Sequence, residues 1–501
     1  MSDQKKTDFS GNHTVLERDE SIILTRLLVL SLLLFGIFMA SACNVQPSPT
    51  ASPASATPIS SPTLTSIPAT PTRTPTITPQ PTSSLGVKAA ELDGVTLSFW
   101  HPWTGDTGNT IQKSIEKFNA SNAYGITVES ISQGDLNSLY EKIDLQESKT
   151  GLPNLAVGAN YQIQSWISAG KPVVGLDDYL DDPEWGLSKE ELADFNELFL
   201  QQDVMEGSRI GMPAVRTAQV MYYNTTWAEE LGFRSIPKDP EEFKTQVCAA
   251  AQANRENEEP EDDGTGGWLI NTNPLGILSW LYAFGSQVLL PNDAGYNFNT
   301  SESESALLFL KDLIDEGCAF EALESPSEAA FANRQALIIT SSLSDIGFEN
   351  AEFERAENND EWTVVGFPSP DQVPVSTIYG PSLFMFAGTQ EENLATWLLI
   401  KWLLSPEQDA DLVTVRGTFP IRTSTLELLA DYADQHPQWT AAQGLLEHAS
   451  PEPGLKSWDR VRWILGDVGT QIFRYYFTPD RIPATLELMD ETAAELHNLD
   501  Q

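Results

Sequence analysis

Residues 44–85 hold 28 Pro, Ser or Thr side chains in 42 positions, no acid and almost no bulky apolar residue. A stretch of that composition cannot bury a core and stays extended, partly as polyproline II. At ~3.1 Å per residue its reach is at most on the order of 130 Å. It divides the chain of 501 residues into a leader before it and a foldable part after it.

The leader contains one apolar run, residues 27–40, LLVLSLLLFGIFMA. Its length falls short of the ~20 residues that span a bilayer but fits the roughly 7–15 of a signal-peptide core. Ala40, Ser41 and Ala42 lead into Cys43, and small residues there suit a narrow peptidase site. ASAC resembles the bacterial lipobox, which implies that Cys43 is lipidated and becomes the mature N-terminus. The alternatives are an uncleaved anchor, or a secretory cut that leaves Cys43 free. The expected organisation is a signal peptide over residues 1–42, a lipidated Cys43 with a disordered tether over 43–88, and a folded domain over 89–501. A lipid followed by a spacer holds a soluble domain just outside a membrane, so an extracytoplasmic, membrane-anchored protein is expected.

Composition narrows the function. The chain carries 71 acidic and 29 basic residues, a formal charge of −42, and residues 91–501 alone carry 66 acidic and 23 basic. Such a charge repels phosphate backbones and anionic lipid surfaces, which excludes nucleic-acid binding as the main role. Three cysteines cannot build a disulfide-rich miniature scaffold or a four-thiolate zinc site. A single apolar run excludes a polytopic permease.

The foldable part begins with a strand-like run, VTLSFW, and a turn, HPWTGDTGN. An amphipathic helix follows, with Ile111, Ile115 and Phe118 at helical spacing. Strand and helix then alternate: a strand near 126–128, a helix over 136–147, a strand near 155–157 and a helix over 161–168. This alternation predicts an α/β fold with a largely parallel sheet. Helices are expected at 391–404, 406–415, 425–435 and 484–499. The acidic segment 256–264, ENEEPEDDG, reads as a solvated surface loop rather than a calcium site.

Catalytic chemistry finds little support. The histidines, His13, His101, His436, His448 and His497, form no HExxH and no paired ligand spacing. There is no GxSxG elbow, no GxGxxG after a strand and no P-loop. No metal, cofactor or enzymatic activity is expected. Aromatics in loop-like positions are the positive signal. Sugars offer flat faces of C–H bonds ringed by hydroxyls, so Trp and Tyr stack on them while polar side chains bind the rim. Trp103 follows the first strand, where ligands of open α/β sheets bind.

Several motifs together resemble the extracellular solute-binding proteins of bacterial ATP-binding-cassette importers, family 1. VTLSFWHPWTG is similar to the family's opening. IGMPAVRTAQVMYYNTTWAEELGF, followed by IPKDPEEF, is similar to its hinge-strand signature. EAAFANRQALIITSS resembles re-entry into the first lobe, YGPSLFMFAGTQEENLATWLLIKWLLSPEQ the second crossover, and GTFPIRTS the late Gly-x-x-Pro-x-Arg motif. The likeness runs in order from residue 91 to about 480.

The resemblance implies a two-lobed periplasmic-binding-protein-like fold of type II. Each lobe is a mainly parallel sheet flanked by helices, joined to the other by hinge strands. Lobe 1 is expected over about 91–215 and 331–385, and lobe 2 over 216–330 and 386–501. A carbohydrate bound between the lobes and passed to a membrane permease is the implied function. A surface carbohydrate-active enzyme and a non-transport ligand sensor are the alternatives. The protein is expected to be monomeric. Arg216 and Thr217 occupy the hinge segment 211–224, where ligand-facing residues lie in the family; a salt bridge is the other role open to Arg216. Trp103, Tyr161 and Gln162 are expected to line the cleft from lobe 1. Trp280 is expected from lobe 2, unless it faces the core. Ser341, Ser342 and Tyr379 complete the expected set. With Cys43 acylated, Cys248 and Cys318 remain in an oxidising compartment, where evenness favours a disulfide over two buried thiols.

Overall fold

The computed structural model describes residues 82–146, 151–260, 262–321 and 327–499. The run 27–40, Cys43 and nearly all of the Pro/Ser/Thr-rich stretch lie outside the described residues. The far end of that stretch belongs to the fold. Asp182 accepts hydrogen bonds from Ser83 Oγ and the Ser84 amide, both at 2.9 Å, and Val87 is buried. The expected boundary at residue 88 is thus corrected, because composition does not reveal that these hydroxyls have a partner.

In β1 (Thr96–His101), alternation buries Leu97, Phe99 and His101. Helix α1 (Gly105–Ser121) buries Ile111, Ile115 and Phe118 on one stripe. Then follow β2 (Thr127–Ser132), α2 (Leu136–Asp144), β3 (Leu155–Gly158), α3 (Asn160–Ser168) and the short β4 (Met212–Pro213). The chain passes into β5 (Thr217–Asn224), whose eight residues are all buried. Next come α4 (Pro240–Glu256), β6 (Gly266–Leu269), α5 (Pro274–Ala283), α6 (Ser301–Asp315) and β7 (Ala319–Phe320). They are followed by β8 (Ala336–Ser342), α7 (Ile346–Arg355), β9 (Trp362–Val365) and β10 (Ser376–Tyr379). The chain returns through β11 (Ser382–Met385) to α8 (Gln390–Leu403) and α9 (Pro406–Arg416), then ends in β12 (Ala449–Pro451), α10 (Trp458–Ile472) and α11 (Ile482–Asn498).

Two sheets result. The first has the order β2-β1-β3-β11-β4; the second is β12-β10-β5-β8-β6-β7, with β9 also paired to β5. Parallel pairs such as β1 with β2 and β6 with β8 alternate with antiparallel partners supplied by the crossing segments, β4, β5, β10 and β11. At the crossing, Tyr379 pairs with Thr217 and Ser382 with Pro213, so the two connections run side by side in opposite directions. Gly380 sits between them at φ 146°, and a Cβ there would collide with the Val215 carbonyl. A third crossing follows α9, where the Phe419 amide bonds the Arg216 carbonyl at 2.9 Å.

The lobe boundaries differ from expectation. Residues 331–379, expected in lobe 1, form β8, β9 and β10 of the second sheet. Helices α8 and α9, expected in lobe 2, pack on α1 of the first. The sequence ALIITSS marks a strand buried on both faces, but it does not say between which neighbours. The core of the second lobe is aromatic: Trp280 meets Phe243 and Phe367, each with ring centroids at 5.3 Å, and Trp268 at 5.7 Å.

Cys248, in α4, is bonded to Cys318, just after α6. Closing that loop, a separation of 70 residues, is worth about 4 kcal/mol. Cys248→Ser is expected to lower the unfolding midpoint accordingly, and thiol titration of the unfolded, unreduced protein should find neither thiol free.

Glu349 in α7 is fully buried, and neither carboxylate oxygen has a hydrogen-bond partner among the described residues. Burial, reinforced by Glu328, Glu352 and Asp345, pushes its pKa up to about 9. The fold therefore favours the neutral acid, and the stability it contributes is full below the unfolded pKa of about 4.3 and lost as pH rises towards 9. Between about pH 5 and 9 the native chain should lose stability relative to Glu349→Gln, with a slope approaching about 1 kcal/mol per pH unit. Urea unfolding across that range measures it.

Candidate ligand cleft

Between the sheets lies a cavity of about 500 Å³. Its floor is the crossing itself: Val215, Thr217, Tyr379, Gly380 and Pro381. The first lobe supplies the start of α2, Asp135 to Asn137, and the start of α3 with Ala159, Tyr161 and Gln162. The second lobe supplies the start of α5 at Asn273, together with Ser344, Glu452, Arg462 and Trp463. Arg416, the last residue of α9, completes the wall.

Helix starts line this cavity, and two of them, those of α2 and α5, carry side-chain caps. Asp135 accepts from the Ser138 amide at 2.9 Å, and Asn273 from the Leu275 amide at 3.0 Å. The lobes touch across one side of the cleft. Arg462 Nη1 donates to Tyr161 Oη at 2.6 Å, and the guanidinium lies 4.9 Å over the Tyr161 ring. Gln164 in α3 donates to the Gly454 carbonyl and accepts from the Lys456 amide at 3.1 Å. Burial holds the Tyr161 and Tyr379 hydroxyls well above the usual phenol range, so both stay protonated. Burial also raises the Glu452 carboxyl, which accepts from Trp458 Nε1 at 3.0 Å.

Of the residues singled out from sequence, Tyr161, Gln162, Thr217 and Tyr379 line this one cavity. Gln162 is engaged by the Ala159 amide (3.0 Å), and Thr217 Oγ1 lies 3.1 Å from Ser342 Oγ. Arg216 is behind the floor and only 1% exposed. It bonds Asp203 at 2.9 Å, Ser382 Oγ at 2.8 Å and the Pro381 carbonyl at 2.8 Å, so its side chain makes the salt bridge rather than the ligand contact.

Four placements are corrected. Trp103 is buried under α1 beside Phe99, Ile111 and Leu383, because α1 starts immediately after it. Trp280 is fully buried in the aromatic core; α5 is apolar on nearly every side, and such a helix has no solvent face. Ser341 donates to Asp345 at 2.8 Å, and Ser342 caps the following turn, so both tie down the end of β8 and Ser344 reaches the cavity instead. Sequence reading missed Trp463, Arg462, Arg416 and Glu452. In α10 the apolar stripe runs through Trp458, Val461, Leu465 and Val468; Trp463 stands off it and is 56% exposed, which is the signal that marks it.

A family model described as bacterial extracellular solute-binding protein matches residues 113–445. The chain belongs to this family. A Brucella abortus protein named as a binding protein is 23% identical over 314 residues, covering 61% of this chain and 71% of its own. Among solved structures, the fold is similar to the sugar-binding protein MalE of Xanthomonas citri (TM-score 0.68, 19% identity, 81% and 98% of the two chains). It is also similar to the cyclic alpha-maltosyl-1,6-maltose binding protein of Arthrobacter globiformis (TM-score 0.67, 18% identity, 81% and 99%). A third is UgpB of Mycobacterium tuberculosis, solved with glycerophosphocholine (TM-score 0.64, 15% identity, 80% and 98%). At these identities the likeness establishes a shared two-lobed fold for the solute-binding protein.

The two tryptophans separate by assay. Trp463→Ala should leave the melting temperature of the solute-binding protein nearly unchanged and weaken its ligand by about tenfold. Trp280→Ala should cost about 3–5 kcal/mol of stability through the cavity it opens. Calorimetry and chemical unfolding read the two effects.

Proposed function

We propose that this protein is the receptor of an ATP-binding-cassette importer and takes a carbohydrate between its two lobes. The observation that carries this reading is Trp463, more than half exposed on the second lobe and lining the same cavity as Tyr161 of the first. Two aromatics on opposite lobes suit the apolar faces of a sugar, and Asn273, Ser344 and Thr217 on the same walls suit its hydroxyls. The names of the structural neighbours, which include a cyclic alpha-maltosyl-1,6-maltose binding protein and a maltotriose binding protein, support a sugar. Lobes that meet around ligand present the permease with a surface that the open form lacks, which couples binding to delivery. The family is extracellular. The finer reading, that a lipidated Cys43 and the Pro/Ser/Thr-rich stretch hold the receptor at the outer face of the membrane as a monomer, rests on the sequence.

A thermal-shift screen of the purified chain against mono- and oligosaccharides tests the ligand class. At least one sugar should raise the midpoint in proportion to ln(1 + [L]/Kd), with no release of reducing ends. Sugar turnover would replace the receptor with an enzyme. For the anchor, metabolic labelling with a fatty acid should mark the native chain and not Cys43→Ser. Equal label in both rejects it.

A further inference from the structure

We propose that the cleft selects an anionic carbohydrate, a sugar bearing a carboxylate or phosphate, held between Arg416 and Arg462. This rests on the carbohydrate reading and adds a charge to it. Both guanidiniums line the cavity, Arg416 from α9 on the first lobe and Arg462 from α10 on the second. The Nε of each is buried and has no hydrogen-bond partner among the described residues, which also holds for Arg216 Nε, while Arg462 Nη1 is engaged by Tyr161 Oη. Neither makes an ion pair among the described residues.

That is unusual in a chain with 71 acids and 29 bases. The two most deeply buried arginines among the described residues do have carboxylate partners: Arg216 has Asp203 and Arg422 has Asp194. A buried N–H without an acceptor is costly, and a charged one more so, so a site that keeps two of them is built for an acceptor that arrives. The guanidinium fork matches a carboxylate or phosphate in two parallel hydrogen bonds.

Nearby acids do not already fill this role. Asp345 lies behind Arg416 and is occupied by Ser341 Oγ and the Ser342 amide. Glu452 accepts from Trp458, and burial shifts it towards the neutral acid. Asp135 caps α2 at the solvent edge. The large negative charge of the whole protein is screened beyond about 8 Å at physiological salt, so the adjacent guanidiniums dominate inside the cleft. Their origin on opposite lobes has a further effect. An anion seated between guanidiniums of opposite lobes would add an attraction to the Arg462–Tyr161 contact that already joins them, and so favour the closed cleft.

The test is calorimetry on the full chain in detergent with three probes: oligomers of galacturonic acid, the matching neutral galactose oligomers, and glucose 6-phosphate. One acidic probe should bind at least about tenfold more tightly than its neutral counterpart and lose that advantage as salt is raised. Which one it is, uronate or phosphate, identifies the source of the anion. Arg416→Gln and Arg462→Gln should each weaken the acidic probe by about tenfold and weaken neutral sugars by clearly less. Arg416→Lys, which keeps the charge without the fork, should fall between and serves if Arg416→Gln fails to fold. Neutral oligomers binding as tightly as acidic ones, or acid affinity unchanged in Arg416→Gln, overturns the anion site and leaves the carbohydrate receptor standing. If neither acidic probe binds a chain that unfolds cooperatively while a neutral sugar from the thermal-shift screen does, the anion site alone is overturned; if no sugar in that screen binds, the carbohydrate reading falls with it.

Discussion

Arg216 and Asp203 hold the molecule together at its narrowest place. Both side chains are 1% exposed, and their contact is 2.9 Å. Removing either partner would strand a charge away from water, at a cost of about 3–5 kcal/mol. The guanidinium also ties down the two connections it lies between, bonding the carbonyls of Val215, Gly380 and Pro381, while Ser382 Oγ bridges to Asp203 at 2.6 Å. Every rotation of one lobe against the other passes through backbone that this cluster fixes. Apart from the guanidinium's Nε, the polar atoms of this cluster are bonded within the protein, so its own contacts hold the cleft floor and recognition is left to the walls.

Much of the fold was legible in the sequence because its first third obeys simple periodicity. Leu97 and Phe99 alternate inward, and Ile111, Ile115 and Phe118 recur at helical spacing. The late helices were legible too: α8 and α9 fall within a residue of where spacing places them. Lobe membership was not. β8 is buried on both faces, and a run of that kind carries no mark of its sheet. Only pairing with β5 and β6 decides it.

The cleft was half legible. Residues next to strand ends and crossings, such as Tyr161 and Tyr379, could be placed because topology puts strand ends at the opening. The tryptophans could not be placed on residue type alone, since Trp serves a core and a sugar face equally well. Trp280 stands among Leu278, Leu281 and Phe284, and neighbours of that kind signal interior. Trp463 stands between Arg462 and Ile464 off the apolar stripe. The polar wall residues Arg416 and Glu452 come from segments more than 30 residues apart in the chain, so no local pattern joins them.

Ser83 and Ser84 grip Asp182 within the first lobe. A pull along the chain from the direction of its N-terminus therefore enters through that lobe alone. Asp182 is itself braced by the amides of Glu184 and Trp185 at 3.0 and 2.9 Å, and Trp185 is bonded through its carbonyl to Trp397 of α8. These contacts all lie within the first lobe, so the second lobe can turn against it without displacing the hold that Ser83 and Ser84 have on Asp182.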